Sequence, residues 1–339
     1  MNKRKNYLDN IRWITLCVVI LYHVFYIFNS SGVISNIGVK GIKEFDTICV
    51  FTYPWIMCLL FVVSGVSTKY SLKNKSNKEF IKDRAKRILV PSIVGIFVYG
   101  WISGWTTNYY ADIFAGNANM VPSVIKYIIF SLIGIGPLWY AHVLFVASLL
   151  IVLIRKIDKK QKLDNFFNKI NLPILFLLFL LVWGSSFILN TPVVTVYRWG
   201  IYLLMFILGY YIFSNDKIIK KLESISILLG ITTLIVGIIF TNIYIWLVIL
   251  SAFGLGKKYL DFENKFTNYM NKNNFSFYVL HYTIQIVIAF ILVEYIKFDN
   301  FIFNYIILIV GTMIILPLMT EILKRIPIVN RLLLGIVKK

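Results

Sequence analysis

The stretch RWITLCVVILYH, residues 12–23, places an arginine and a histidine eleven positions apart in an otherwise apolar run broken only by Thr15. Eleven residues of α-helix turn through about 1100°, roughly 20° past three full turns, and rise about 16 Å. Arg12 and His23 therefore share one helix face. If this helix lies in lipid, Arg12 sits at the inner interface and His23 near mid-bilayer. An ionisable group at that depth is costly and normally faces the protein interior or a wet cavity. A neutral imidazole there could take a proton from a hydroxyl or attack a carbonyl carbon. The plainer reading has Arg12 snorkelling to the interface and His23 bonding a neighbouring helix.

The other histidines, His142 in PLWYAHVLF and His281 in NFSFYVLHYTI, also fall inside apolar runs. Counted at 1.5 Å per residue, they lie about 18 Å and about 10 Å above the inner ends of their helices. No HxxxH or HxxE spacing joins them, so no metal is expected. Arg84 and Arg87 in KDRAKRILVP are three apart, on one face of an α-helix. Two guanidinium groups there suit phosphate, although the same charges also serve membrane topology. Glu294 and Glu321 lie near the ends of their runs, and Asp9 can pair with Arg12 one turn on. Ser64 and Gly65 read as small residues that let helices pack closely, and Cys17, Cys49 and Cys58 as packing residues.

The elements that must carry these groups are membrane helices. The chain of 339 residues is 59% hydrophobic and 15% charged, where soluble domains hold about 25% charge. Ten spans are expected, near residues 11–28, 48–66, 88–104, 137–154, 172–189, 199–213, 224–240, 242–256, 274–296 and 301–320. The pair meeting near residue 241 is separated only by TNIY and could be one kinked segment. With an inside N-terminus, 29 of the 35 lysines and arginines fall in inside segments and five outside (Lys40, Lys43, Lys126, Arg198, Lys297), with Arg12 in the first span. Such a split follows the positive-inside rule and puts both termini in the cytoplasm. The net charge of +20 is thus topology, and no nucleic-acid partner is expected. The tract VIKYIIFSLIGIG within the outer stretch 105–136 is short and glycine-broken, as an interfacial or re-entrant segment would be. No cleavage site follows the first apolar run. The fold class is an all-α, polytopic membrane protein: one membrane-embedded domain over residues 1–339, with no fused extracytoplasmic domain. Abundant Lys, Ile and Asn point to an AT-rich bacterial genome, hence a bacterial cytoplasmic membrane.

YLDNIRWITLCVVILYH resembles the first helix of the acyltransferase family 3 membrane proteins, whose signature is Arg, ten residues, then His. RAKR is similar to that family's Arg-x-x-Arg element at the third helix. PLWYAHVLF resembles its Leu-Trp-Phe-Leu type segment, and SFYVLHYTI its late Ser…Tyr…His segment. The four elements occur in family order over nearly the whole chain, although His142 stands where many relatives carry another residue type.

The resemblance implies transfer of an acyl group, in the first place acetyl, from cytoplasmic acyl-CoA to a hydroxyl of an extracytoplasmic or lipid-linked carbohydrate. It implies His23 and Arg12 as catalytic residues, with His23 a general base or transient acyl carrier. Arg84 and Arg87 would hold the CoA phosphates. Trp139, Tyr140, His142, Ser276, Tyr278 and His281 would line the cavity or meet the acceptor. The expected partners are acyl-CoA, preferentially acetyl-CoA, a glycan acceptor and the bilayer. The alternative is a transporter or flippase of an anionic small molecule or lipid, using intramembrane Arg and His without covalent chemistry.

Overall fold

A computed structural model describes residues 5–31, 36–192, 196–237 and 241–336. Lys3, Arg4, Lys338 and Lys339, counted above among the inside cations, lie outside the described residues. In chain order the helices are α1 (Asn6–Ile27), α2 (Asp46–Ser71), α3 (Asn77–Arg84), α4 (Val90–Gly95), α5 (Trp101–Ala111), α6 (Ser123–Ile133), α7 (Trp139–Ile157), α8 (Lys162–Phe167), α9 (Leu172–Leu177) and α10 (Phe179–Ser185). A short antiparallel pair, β1 (Asn190–Pro192) and β2 (Val196–Arg198), follows. Then come α11 (Trp199–Tyr211), α12 (Asp216–Ser224), α13 (Ser226–Gly237), α14 (Thr241–Tyr259), α15 (Lys265–Ile291), α16 (Ile302–Lys324) and α17 (Pro327–Leu332). Three π-turns, Ala85–Leu89, Ile96–Gly100 and Leu292–Ile296, sit within or at the ends of long helical stretches.

Among the described residues, six helical stretches are long and apolar enough to cross a membrane: 6–27, 43–71, 77–111, 136–157, 265–296 and 302–324. The chain is a multi-pass, predominantly helical membrane protein, and the short β1–β2 pair is an addition to the expected all-α class. Expected spans near 172–189, 199–213 and 224–240 form shorter apolar helices, Leu172–Ser185, Trp199–Tyr211 and Ser226–Gly237. The pair near 241 is two helices packed side by side, since Thr233 Oγ1 and Ser251 Oγ meet at 2.7 Å. Helix α6 has eleven residues and is about 16 Å long, half the hydrocarbon thickness. Helix α15 starts nine residues before its expected span because its first turns are polar but well capped. Thr267 N–H donates to Asn264 Oδ1 at 2.8 Å, and Asn264 N–H donates to Thr267 Oγ1 at 2.9 Å.

The helices form two compact units, each assembled from three stretches of chain. The first comprises Met1–Thr15, Tyr53–Arg84 and Val143–Lys272. Here the start of α1 is held by the end of α14 and the residues after it. The free Tyr7 N–H, one of the donors a helix start leaves unpaired, donates to Asp261 Oδ1 at 3.2 Å. The Asn10 amide donates to the carbonyls of Leu260 and Phe262 at 2.7 and 2.9 Å. Lys5 adds contacts to Asp216 and Tyr70. Helices α2 and α11 cross on glycines: Gly65 lies against the Phe206 carbonyl, and Gly209 against that of Val62.

The second unit comprises Leu16–Thr52, Ala85–His142 and Asn273–Lys339. Its core joins Val24 and Ile27 of α1, and Phe28 just after it, to Ile286 and Ala289 of α15 and Leu308 of α16, with Ile37 inserted from the following loop. Tyr305 fastens that loop, donating to the Phe28 carbonyl at 3.1 Å and accepting from Ile42 N–H at 3.0 Å. Helices α5 and α6 cross closely, Gly104 against the Phe130 carbonyl and Gly134 against that of Gly100.

Gly65→Ala is expected to lower stability by about 1–3 kcal/mol, as overpacking does, because its Cβ would meet backbone that no rotamer change can move. Thermal unfolding in detergent measures this as a fall in Tm. An unchanged Tm would show that α2 and α11 do not depend on that close approach.

Candidate active site

In the second unit, α1 and α15 bring two histidines into contact. His23 Nδ1 lies 2.8 Å from the Val19 carbonyl oxygen, one turn back on its own helix. A carbonyl oxygen only accepts, so Nδ1 carries the hydrogen. His281 Nδ1 lies 2.7 Å from the Tyr278 carbonyl and 3.2 Å from that of Phe277, so it also carries its hydrogen. The lone pair of neutral His281 is therefore on Nε2, which stands 3.3 Å from His23 Nδ1. His23 Nδ1–H is shared between Val19 and His281, and the lone pair of His23 is left on Nε2. That nitrogen makes no hydrogen bond among the described residues.

The surroundings hold this geometry. His281 is completely buried, whereas His23 is half-buried and keeps accessible surface. The Tyr282 ring packs against His23 with centroids 5.0 Å apart, and Tyr22 and Tyr26 flank the imidazole at 5.1 and 6.3 Å. Tyr282 donates its hydroxyl to Asn36 Oδ1. The Asn36 amide in turn donates to Thr107 Oγ1 at 2.6 Å and to the Ser103 carbonyl at 2.9 Å. Gln285, one turn beyond His281 and fully buried, donates to the Ile20 carbonyl at 2.9 Å. His281, Tyr282 and Gln285 thus form a polar face of α15 turned toward the C-terminal half of α1.

The remaining sequence candidates of this unit divide. Tyr278 donates to the Pro137 carbonyl, and its ring meets that of buried Tyr140 edge-on at 5.5 Å. The Trp139 ring meets that of Tyr140 edge-on at 6.4 Å at the start of α7, and Ser276 is buried. His142 has a buried Nε2 with no partner, and among the described residues its ring meets neither other histidine. Two of the three intramembrane histidines therefore meet. Arg87 falls in the π-turn Ala85–Leu89, whereas α3 ends at Arg84. The shared face expected for this pair assumed α-helical spacing, and the wider i→i+5 turn removes that basis.

The first unit assembles a different group. Arg12 donates to Asp9 Oδ1 at 3.0 Å and to Ser67 Oγ at 2.5 Å. Arg84 donates to Thr68 Oγ1 at 3.0 Å. Both hydroxyls spend their own hydrogens one turn back, on the Val63 and Ser64 carbonyls, so each is free to accept from a guanidinium. Two arginines from separate helices are therefore fixed on adjacent residues of α2. Arg12 uses two of its five N–H donors this way, and its side chain remains 29% exposed. Such a pair can bind an anion such as phosphate. Ser67 and Thr68 were not singled out in the sequence; the only signal was two consecutive hydroxyls at the C-terminal end of an apolar run. Among the described residues, no group of three or more His, Cys, Asp or Glu could hold a metal ion.

The free Nε2 makes a chemical prediction. Diethylpyrocarbonate, which acylates unprotonated imidazole nitrogen, is expected to label His23 ahead of His281 and His142, read by peptide mass spectrometry. Labelling of His281 first would contradict the hydrogen-bond assignment.

Comparison with known proteins adds a finding independent of this geometry. The acyltransferase family 3 model, described as an acyltransferase domain, matches residues 5–321. No curated protein and no solved structure gives a significant match. The matched range takes in Arg12, His23, Arg84, Arg87 and His281. By that match over nearly its whole length, the chain belongs to acyltransferase family 3 and is a membrane acyltransferase.

Proposed function

We propose that the protein transfers an acetyl group from cytoplasmic acetyl-CoA to a hydroxyl of an extracytoplasmic or lipid-linked carbohydrate, in the cytoplasmic membrane of a bacterium. The observation that carries this reading is the lone pair on His23 Nε2, set by the contact with His281. The proposed topology keeps ten membrane passages with both termini inside, the shorter apolar helices serving as the additional passages. Arg12 and Arg84, oriented by Ser67 and Thr68, together with Arg87, hold the phosphates of CoA through charge-assisted bonds.

Two chemical routes fit the same base. In the first, His23 Nε2 takes the proton of the acceptor hydroxyl as its oxygen attacks the thioester carbonyl. The C–S bond then breaks and the imidazolium returns the proton to the departing thiolate. In the second, Nε2 itself attacks the carbonyl, C–S breaks, and an acyl-imidazole forms. His281 Nε2 takes the Nδ1 proton as positive charge grows on His23 and returns it when the acyl group leaves to the acceptor, whose hydroxyl proton ends on the departed CoA thiolate. In both routes His281 orients His23 and stabilises the charge that develops on it.

Membranes containing wild type, His23→Ala or Arg12→Gln are incubated with radiolabelled acetyl-CoA, following thioester loss and labelled product. His23→Ala is expected to lose at least about 100-fold in turnover, the usual reach of a general base. Arg12→Gln is expected to raise KM for acetyl-CoA by about 10–100-fold, the worth of hydrogen bonds to a charged group, with a smaller change in kcat. Turnover unchanged in His23→Ala would remove the histidine from the chemistry. Transport of an anion with no thioester loss in wild type would favour a carrier without covalent chemistry.

A further inference from the structure

Within the second unit, the π-turn Ala85–Leu89 that carries Arg87 has a physical cause. Proline has no N–H, so Pro91 cannot donate to the carbonyl four residues back, and its ring crowds that oxygen. The carbonyl in question belongs to Arg87. The backbone widens over the residues just before Pro91. Such wide turns occur mostly as single insertions in α-helices, frequently at functional sites. Ile88 anchors the turn in the protein interior, whereas Lys86 and Arg87 are exposed.

The chain after α16 closes on that carbonyl. Helix α17 packs beside α4 but buries no residue of its own. The next three residues, Leu333, Leu334 and Gly335, are all buried, Leu334 to 1% exposure. Gly335 holds a left-handed φ of 63°, which glycine adopts without steric penalty. A Cβ at this position would clash with the Arg87 carbonyl oxygen and stand 3.1 Å from the Phe275 ring. Backbone conformation and close approach therefore both call for glycine here. The segment is also tied to itself. Leu333 N–H donates to the Val329 carbonyl at 2.8 Å, and Ile336 N–H to that of Asn330 at 3.1 Å. The Asn330 amide donates to the Lys324 carbonyl at 3.3 Å, at the end of α16.

We propose that Gly335 is a positioning residue for Arg87. By closing on the Arg87 carbonyl, the segment Leu333–Gly335 holds the π-turn in its wide form. It thereby sets the direction in which the arginine side chain leaves the backbone. The inference rests on the reading above that Arg87 binds a phosphate of CoA. It goes beyond that reading by naming a residue that touches no ligand and yet controls donor affinity. A Cβ at residue 335 meets backbone, so it must either push the turn or lift the segment.

The test measures CoA affinity by calorimetry on full-length protein in lipid nanodiscs, with Tm recorded for every variant. Arg87→Gln is expected to weaken CoA binding by about 10–100-fold, the worth of hydrogen bonds to a charged group. Gly335→Ala is expected to weaken it by about 3–10-fold, the worth of one hydrogen bond. The same variant should raise KM for acetyl-CoA and leave kcat unchanged. In the Arg87→Gln background, Gly335→Ala should add nothing, because no guanidinium is left to position. A merely structural glycine would lower Tm and leave the CoA affinity of the folded protein unchanged, or weaken binding equally in both backgrounds. Either result overturns the proposal. If Gly335→Ala does not fold, Leu334→Ala loosens the same segment without adding atoms at the carbonyl, and the same cycle with Arg87→Gln decides. An Arg87→Gln variant with unchanged CoA affinity would overturn the placing of Arg87 on the phosphates, which separates failure of that reading from failure of the positioning.

Discussion

The contact between His23 Nδ1 and His281 Nε2 is the constraint on which the second unit depends. Both imidazoles lie in apolar helical segments, where a polar group without a partner costs several kcal/mol in hydrocarbon. Each satisfies its Nδ1–H on its own helix one turn back, a local bond open to polar side chains on helices. Only the cross-helix contact involves both helices at once. Rotating α15 by a single residue, about 100°, would carry His281 away and leave a buried lone pair unmatched. The pair thereby fixes the rotation of α15 against the C-terminal half of α1, and Tyr282 and Gln285 on the same face reinforce it. The interaction that satisfies the packing is also the one that leaves His23 Nε2 as a base.

The arginines are set by a different device. Hydroxyls on α2 donate to the carbonyls one turn back and accept from guanidinium groups, so the cations are aimed before any ligand arrives. Ordering a long charged side chain in advance removes part of the entropic cost of binding. In the proposed reaction, donor binding would draw on these arginines and proton handling on the histidine pair. Helix α1 carries a residue of each: Arg12 near its start and His23 near its end.

Much of this was legible in the sequence because lipid makes the reading simple. Apolar runs gave the mainly helical, multi-pass character, though not the β1–β2 pair, and Arg12, His23 and His281 stood out as ionisable residues inside apolar runs. Gly65 read correctly as a packing residue. What the sequence did not show depends on contacts distant in the chain. Asn36, in a polar loop, reaches Tyr282 across some 246 positions, and no local pattern marks it. Ser67 and Thr68 look like ordinary small polar residues until an arginine from elsewhere is placed on them. The π-turn after Arg84 was also invisible, because hydropathy reports burial and not the winding of the backbone. Helix ends differed from span ends for a related reason: the polar first turns of α15 are helical by capping, without being apolar.

The central claim is the protonation pattern of the histidine pair, and with only three histidines in the chain it is directly measurable. Protein labelled with 15N at its imidazoles, reconstituted in bilayers, is examined by solid-state NMR at neutral pH. His23 and His281 are both expected to be neutral with the hydrogen on Nδ1, each assigned by its loss in the corresponding variant, and the His23 Nδ1 signal to shift when His281 is replaced by Phe. A His23 protonated on Nε2, or insensitive to that replacement, would contradict the pairing and with it the assignment of His23 Nε2 as the reacting nitrogen.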